Sequence, residues 1–257
     1  MPRPEKVFRT EAIILRRHEF GEADRLLTVL TPDHGKLRAI AKGVRKPASH
    51  MSGHVELFSR GQMLLARGQE LYTLSQSEQV EPFLALHEDL DRGAHAYYLV
   101  ELLDRFTESE EPAPMLYALL DAALGWLCAP DADLSLVARY FELKLLTLVG
   151  FQPALFRCAV GQEELKPRDQ FFSAQDGGVV CPEHRRGHMM LPLSLASLKA
   201  LRFIQSRDYG DVARRVHMTS LVRQEVERTL ADYLVHHLEM RLKSVEFIHR
   251  LRQRDQG

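Results

Sequence analysis

Apolar residues change their spacing once along this chain. Up to residue 80 they fall in short runs or alternate with polar ones, over 12–15, 26–30, 35–44, 55–66 and 71–80. Patterning of this kind predicts strands. Gly21, Pro32 with Asp33, Gly35, Gly53 and Gly68 punctuate these stretches, where glycine's tolerance of positive φ and proline's fixed φ favour turns. Five short strands in the first 80 residues predict a small barrel of OB type; spacing alone leaves an SH3-like barrel open.

From Glu81 the apolar spacing lengthens to a helical one, with Pro82 at the break. It predicts helices over 83–106, 115–127, 134–149, 193–205 and 220–252. The last carries Val222, Val226, Leu230, Leu234, Leu238 and Leu242, a stripe that must pack on other helices. The expected fold is therefore α+β, with a five-stranded OB-fold barrel over 1–80 followed by an α-helical domain over 81–257. Inside the latter the helical pattern stops between Gly150 and Leu191. That segment contains Cys158, Gly177, Gly178, Cys181, His184 and His188, with Pro153, Pro167 and Pro182. So long a structureless loop is uncommon within a domain, so a metal or a small hairpin is expected to organise an insertion over 151–190.

Composition narrows the function. No apolar run approaches the roughly 18 residues of a membrane span, and residues 1–10 are charged, which predicts a cytoplasmic protein. Three scattered cysteines form no disulfide framework and fit a reducing compartment; Cys128, beside Trp126, reads as core. The net charge of -1 hides an asymmetry: residues 1–80 hold 13 Lys and Arg against 9 Asp and Glu, and the remainder 21 against 26. Lys36, Arg38, Lys42, Arg45 and Lys46 form an acid-free basic stretch. The first three are separated by even steps, so on a strand they share one face, opposite Leu37, Ala39 and Ala41. Such a face suits a phosphate backbone, and Arg16, Arg17 and Arg25 would extend it; lysines also guard solvated edge strands. Phe20, Phe58 and Tyr72 are candidates for stacking bases, or equally for the barrel interior.

Catalytic signatures fail in turn. His54-Val55-Glu56 lacks the Pro-Cys-x-x-Cys that completes a zinc deaminase. His87-Glu88 has Asp91 where a metalloprotease needs its second histidine. Neither a P-loop nor a G-x-S-x-G elbow occurs. A binding protein is expected rather than an enzyme.

The stretch EFGEADRLLTVLTPDHGKLRAIAKGVRK, residues 19–46, resembles the N-terminal signature of the RecO family through Gly21, Glu22, Asp24, Leu26, Leu27, Thr31, Gly35, Lys36, Ala41, Lys42 and Gly43. The resemblance continues through Gly-Phe-Gln-Pro at 150–153, the Cys-bearing loop, the Gly177 and Gly178 pair and Cys181, and so covers nearly the whole chain. It implies an OB domain, a helical domain and, in many members, a zinc-finger-like insertion. It also implies a cytoplasmic, nucleoid-associated mediator of DNA repair and recombination. Such a protein binds single- and double-stranded DNA, anneals complementary strands, partners RecR and single-strand-binding protein (SSB), and helps load RecA.

One departure concerns zinc. Zinc-bearing relatives have Cys-x-x-Cys where this chain has Cys158-Ala-Val-Gly161. The remaining candidates for Zn2+ are Cys158, Cys181, His184 and His188, with His188 replacing the lost thiolate. The alternative is a metal-free finger held by Phe171, Phe172, Val179 and Val180. Two other functions stay open: an adaptor whose barrel binds a protein and not DNA, and a zinc hydrolase using Glu163 or Glu183 as base. Lys199, Arg202 and Arg207 offer a place for an acidic, apolar-ended peptide such as the SSB tail.

Overall fold

The computed structural model describes residues 6–185, 187, 189–239 and 242–254. Five strands open the chain: β1 (Val7–Phe20), β2 (Asp24–Thr31), β3 (Gly35–Ala41), β4 (Arg60–Ala66) and β5 (Tyr72–Glu81). They close into a barrel in the order β1-β2-β3-β5-β4. The β3–β5 pair is parallel and every other pair antiparallel. This order, with its single parallel pair, is the OB arrangement and disposes of the SH3-like alternative. Closure leaves no open sheet edge, and alternate residues turn inward: Ala12, Ile14, Leu27, Val29, Leu37, Ala39, Ala41, Met63, Leu65 and Leu74 fill the interior.

Strand bounds differ from the pattern where a strand serves two neighbours. β1 begins at Val7, not Ala12, because its first half pairs with β4 and its second with β2. The register shifts between Ile14 and Arg16, where the two halves meet. β3 ends at Ala41 instead of running to Val44, and Ser52–Val55 is a turn of 3-10 helix rather than the start of β4.

Among the described residues eight α-helices and three further strands follow: α1 (Ala85–Glu88), α2 (Leu90–Phe106), α3 (Pro114–Cys128), α4 (Leu134–Leu148), β6 (Gln170–Ser173), β7 (Gly178–Val180), β8 (Leu191–Leu193), α5 (Leu195–Ser206), α6 (Tyr209–Arg215), α7 (Ser220–Leu238) and α8 (Lys243–Arg254). Capping fixes most of the helix starts. Asp89, Asp133, Ser194, Asp208 and Thr219 each accept, through the side chain, the third backbone N–H of the helix that follows. Asp89 therefore divides the helix predicted over 83–106. The helix predicted over 220–252 is divided at Glu239, whose left-handed backbone (φ 54°) terminates α7.

Two compact units result. Met1–Ala132 with Leu242–Gly257 contains the barrel, α1 to α3 and α8; Asp133–Arg241 contains α4 to α7 and the small sheet β7-β6-β8. In the first unit the buried Glu101 carboxylate of α2 accepts the backbone N–H of Ser244 at 2.9 Å and its hydroxyl at 2.6 Å, which fixes the start of α8. In the second, Gly178 packs so closely on Ala154 that a Cβ would fall on the Ala154 backbone. The glycine pair is thus what lets the insertion fold as a hairpin against its own beginning, one of the two solutions its length demanded.

Candidate nucleic-acid interface and metal centre

The β2–β3 region is built by hydrogen bonds that the motif residues supply. Thr31 Oγ1 donates to the Gly35 carbonyl at 3.0 Å and accepts from His34 N at 3.1 Å, closing the β2–β3 turn. Gly35 is left-handed (φ 64°), and a Cβ there would collide with the Glu111 carbonyl of the segment crossing over it. Beyond β3, Gly43 is again left-handed (φ 64°); its N–H donates to Asp24 Oδ1 at 2.7 Å, and Arg45 N donates to the Ala23 carbonyl at 2.9 Å. The turn after β3 is thereby tied to the β1–β2 hairpin. Lys42 consequently sits past the strand, in that turn, and not on the strand face with Lys36 and Arg38.

The eight predicted basic residues separate into two groups. Lys36, 14% exposed, pairs with the Asp104 carboxylate at 3.0 Å and donates to the carbonyls of Asp104 and Thr107, both at 2.7 Å. Arg16 pairs with the same carboxylate, which is 8% exposed. Arg17 and Arg25 both engage Glu56, and Arg45 pairs with Glu19 at 3.1 Å. Arg38, Lys42 and Lys46 are exposed, and among the described residues no acid pairs with them. On the outer face of β3, then, Lys36 reaches the C-terminal end of α2, and Arg38, the middle residue of the strand, is open to solvent.

Of the three aromatic candidates only Phe20 is presented to solvent, at 50% exposure; Phe58 (5%) and Tyr72 (7%) are interior. Tyr72 instead makes an edge contact with Phe8 and a hydrogen bond to Glu110. In the second unit Arg202 is used internally, donating to the Leu155 carbonyl at 2.7 Å and lying over the Phe156 ring, while Lys199 and Arg207 are exposed.

The insertion gathers Cys158, Glu163, Cys181 and His184, whose ligand atoms all lie within 4.8 Å of one another. Gln162, left-handed at φ 63°, donates its N–H to the Cys158 carbonyl and turns the chain back, so that Glu163 comes over the two sulfurs. Cys158 Sγ accepts from the N–H groups of Gly161 (3.4 Å) and Cys181 (3.5 Å). Burial opposes ionisation of this thiol, but those N–H donors hold it below the ordinary cysteine range. Burial pushes the Cys181 thiol up to about 12, helped by Glu163, which accepts from it at 2.9 Å. His184 Nδ1 stands 3.7 Å from Cys158 Sγ, 3.2 Å from Cys181 Sγ and 3.0 Å from Glu163 Oε1. Around zinc, tetrahedral S···N and N···O edges would be about 3.6 and 3.4 Å. The set fits a zinc ion after opening by up to about 0.7 Å, most of it between Cys181 Sγ and Glu163 Oε1, which stand 2.9 Å apart. His188 lies outside the described residues.

The comparisons with known proteins agree with this architecture. Residues 6–83 match the family Recombination protein O N terminal, and residues 87–246 match Recombination protein O C terminal. The chain belongs to the RecO family. A DNA repair protein RecO from Roseiflexus sp. (strain RS-1) is 39% identical over 97% of this chain and 87% of its own length. That of Pelotomaculum thermopropionicum is 37% identical over 98% and 97%, and one from Dehalococcoides mccartyi (strain ATCC BAA-2266 / KCTC 15142 / 195) is 38% identical over 80% and 81%.

Within the RecO signature the geometry gives most residues a structural duty. Asp24 holds Gly43, Thr31 closes a turn, and Gly35 and Gly43 adopt conformations glycine favours. The cluster residue missing from the sequence-derived metal set is Glu163. Its signal was a carboxylate two positions after Gly161, in the same turn as Cys158.

Proposed function

We propose that this RecO-family chain is a DNA repair and recombination mediator. It binds single- and double-stranded DNA without sequence preference, anneals complementary strands, and with RecR helps load RecA on DNA coated by single-strand-binding protein. The observation that carries the reading is the set Arg38, Lys42 and Lys46, unpaired among the described residues and exposed on an OB-type barrel whose other predicted cations are engaged by acids. Cations without internal partners release condensed counterions when they meet phosphates, and that release is the sequence-independent part of DNA affinity. Phe20, exposed on β1 beside the tied turn, adds a surface on which a base of a single strand can stack.

Annealing then needs no covalent step. Cations that neutralise phosphates on two strands reduce their repulsion, and base pairing supplies the driving force. The test uses the intact chain with unrelated single- and double-stranded oligonucleotides across a salt series, together with the annealing rate of a complementary pair. Affinity should be the same for all sequences, fall linearly in log-log form with salt, and be accompanied by faster annealing. Absence of binding at low salt would instead favour the adaptor reading, in which the barrel meets a protein.

A further inference from the structure

We propose that Glu163 is the fourth ligand of a zinc site in the insertion, in place of the thiolate that Gly161 does not supply. The ligand set is then Cys158, Cys181, His184 and Glu163, and His188 is not required. Two independent features converge on this assignment. The first is that all four ligand atoms meet in one place, with no further side chain needed to complete a tetrahedron. The second is the position of Gly161: a Cβ built there would fall on Glu163 Oε2 and on the His184 ring. A cysteine at 161 would therefore begin its side chain where the Glu163 carboxylate now lies. A side chain at 161 and the Glu163 carboxylate cannot share that place, and the His184 ring would also have to give way.

The rest of the turn is arranged as a ligand cradle. N–H groups of Gly161 and Cys181 point at Cys158 Sγ, and the Cys158 N–H donates to the Glu163 carbonyl at 2.9 Å, closing the loop that carries both residues. Buried apolar side chains of Val180 and Met190 pack beside the sulfurs. Four protein ligands leave no open position for water, which makes the site structural and not hydrolytic. Glu163 is exposed while both cysteines are buried, so the carboxylate is the side from which metal enters and leaves.

The test titrates the intact chain with zinc alone, and then with cobalt as a spectroscopic substitute. Wild type and His188→Ala should each hold about one zinc per chain. Glu163→Ala should lose affinity by more than about tenfold, the least expected when even a residue supporting a ligand costs that much. Gly161→Cys/Glu163→Ala should recover binding, and its cobalt form should show thiolate charge-transfer intensity raised by about half, three sulfurs replacing two. The wild-type cobalt spectrum counts thiolates without any substitution, and protection of the insertion from protease by zinc gives a second reading on the unaltered chain. Full zinc affinity in Glu163→Ala, loss in His188→Ala alone, or a folded wild-type chain that binds no zinc would each overturn the assignment.

Discussion

Lys36 and Arg38 show how far apart two residues of one strand face can be in their energetics. Both point outward from β3, but Lys36 is roofed by the end of α2, where one carboxylate and two carbonyls surround its ammonium. Arg38 meets solvent. Removing Lys36 leaves the buried Asp104 carboxylate with Arg16 still beside it and takes the ammonium donor from two carbonyls, so Lys36→Ala should cost about 1–3 kcal/mol of stability. Arg38→Ala should cost less than about 0.5 kcal/mol, as is usual for an exposed side chain. Denaturant midpoints of the two variants measure this; equal midpoints would show that the Asp104 contact contributes nothing. The even spacing of Lys36 and Arg38 was legible in the sequence. What covers one of them was not, because Asp104 comes 68 residues later.

At the scale of elements, local chemistry sets most boundaries and tertiary demands set the rest. The barrel, the principal helices and an organised insertion were legible, because alternation, helical spacing and caps act over a few residues. The seven residues of β3 and the split of the last predicted helix were not: β3 stops where Asp24 captures Gly43, and α7 stops at a left-handed glutamate that no propensity announces. The three cluster residues Cys158, Cys181 and His184 were readable from type and spacing. Glu163 was considered only as a catalytic base, since a turn's direction is not written in residue types.

Asp133 caps α4 through Leu136 N at 3.0 Å and receives two Arg223 nitrogens at 2.8 Å, one on each carboxylate oxygen. Burial works against its charge, but Arg223 and the capping N–H groups hold the carboxyl below its ordinary range. A depressed folded value means the stabilisation is present above the unfolded carboxylate value of about 3.9 and is lost as pH falls through the folded value. Arg223→Ala should therefore weaken the second unit near neutrality and flatten its loss of stability below about pH 4. Urea midpoints from about pH 6 to pH 2 check it; parallel curves for variant and wild type would remove the linkage.

Across the whole molecule the chain leaves its first compact unit after Ala132 and rejoins it at Leu242, so the C-terminal helix completes the unit that begins with the barrel. Truncation before α8 strips Glu101 of the Ser244 N–H and hydroxyl and uncovers part of α2. Hydrogen exchange in α2 should accelerate in the truncated chain, while α4 and α7 of the other unit keep their protection. Unchanged exchange in α2 would show that α8 is an ornament of that unit. Among the described residues no helix is long and apolar enough to cross a membrane.

In the proposed function DNA meets the barrel through Arg38, Lys42 and Lys46. The most direct measurement of this claim is the salt dependence of DNA binding by the intact chain, wild type against Arg38→Ala/Lys42→Ala/Lys46→Ala. Each lost phosphate contact should lower the log-log slope by about 0.9 on duplex and about 0.7 on single strands, so the triple variant should lose between about 2 and 3 on either, with affinity reduced alike for all sequences. A correctly folded triple variant with wild-type affinity and slope would contradict the claim and move the DNA site off this face.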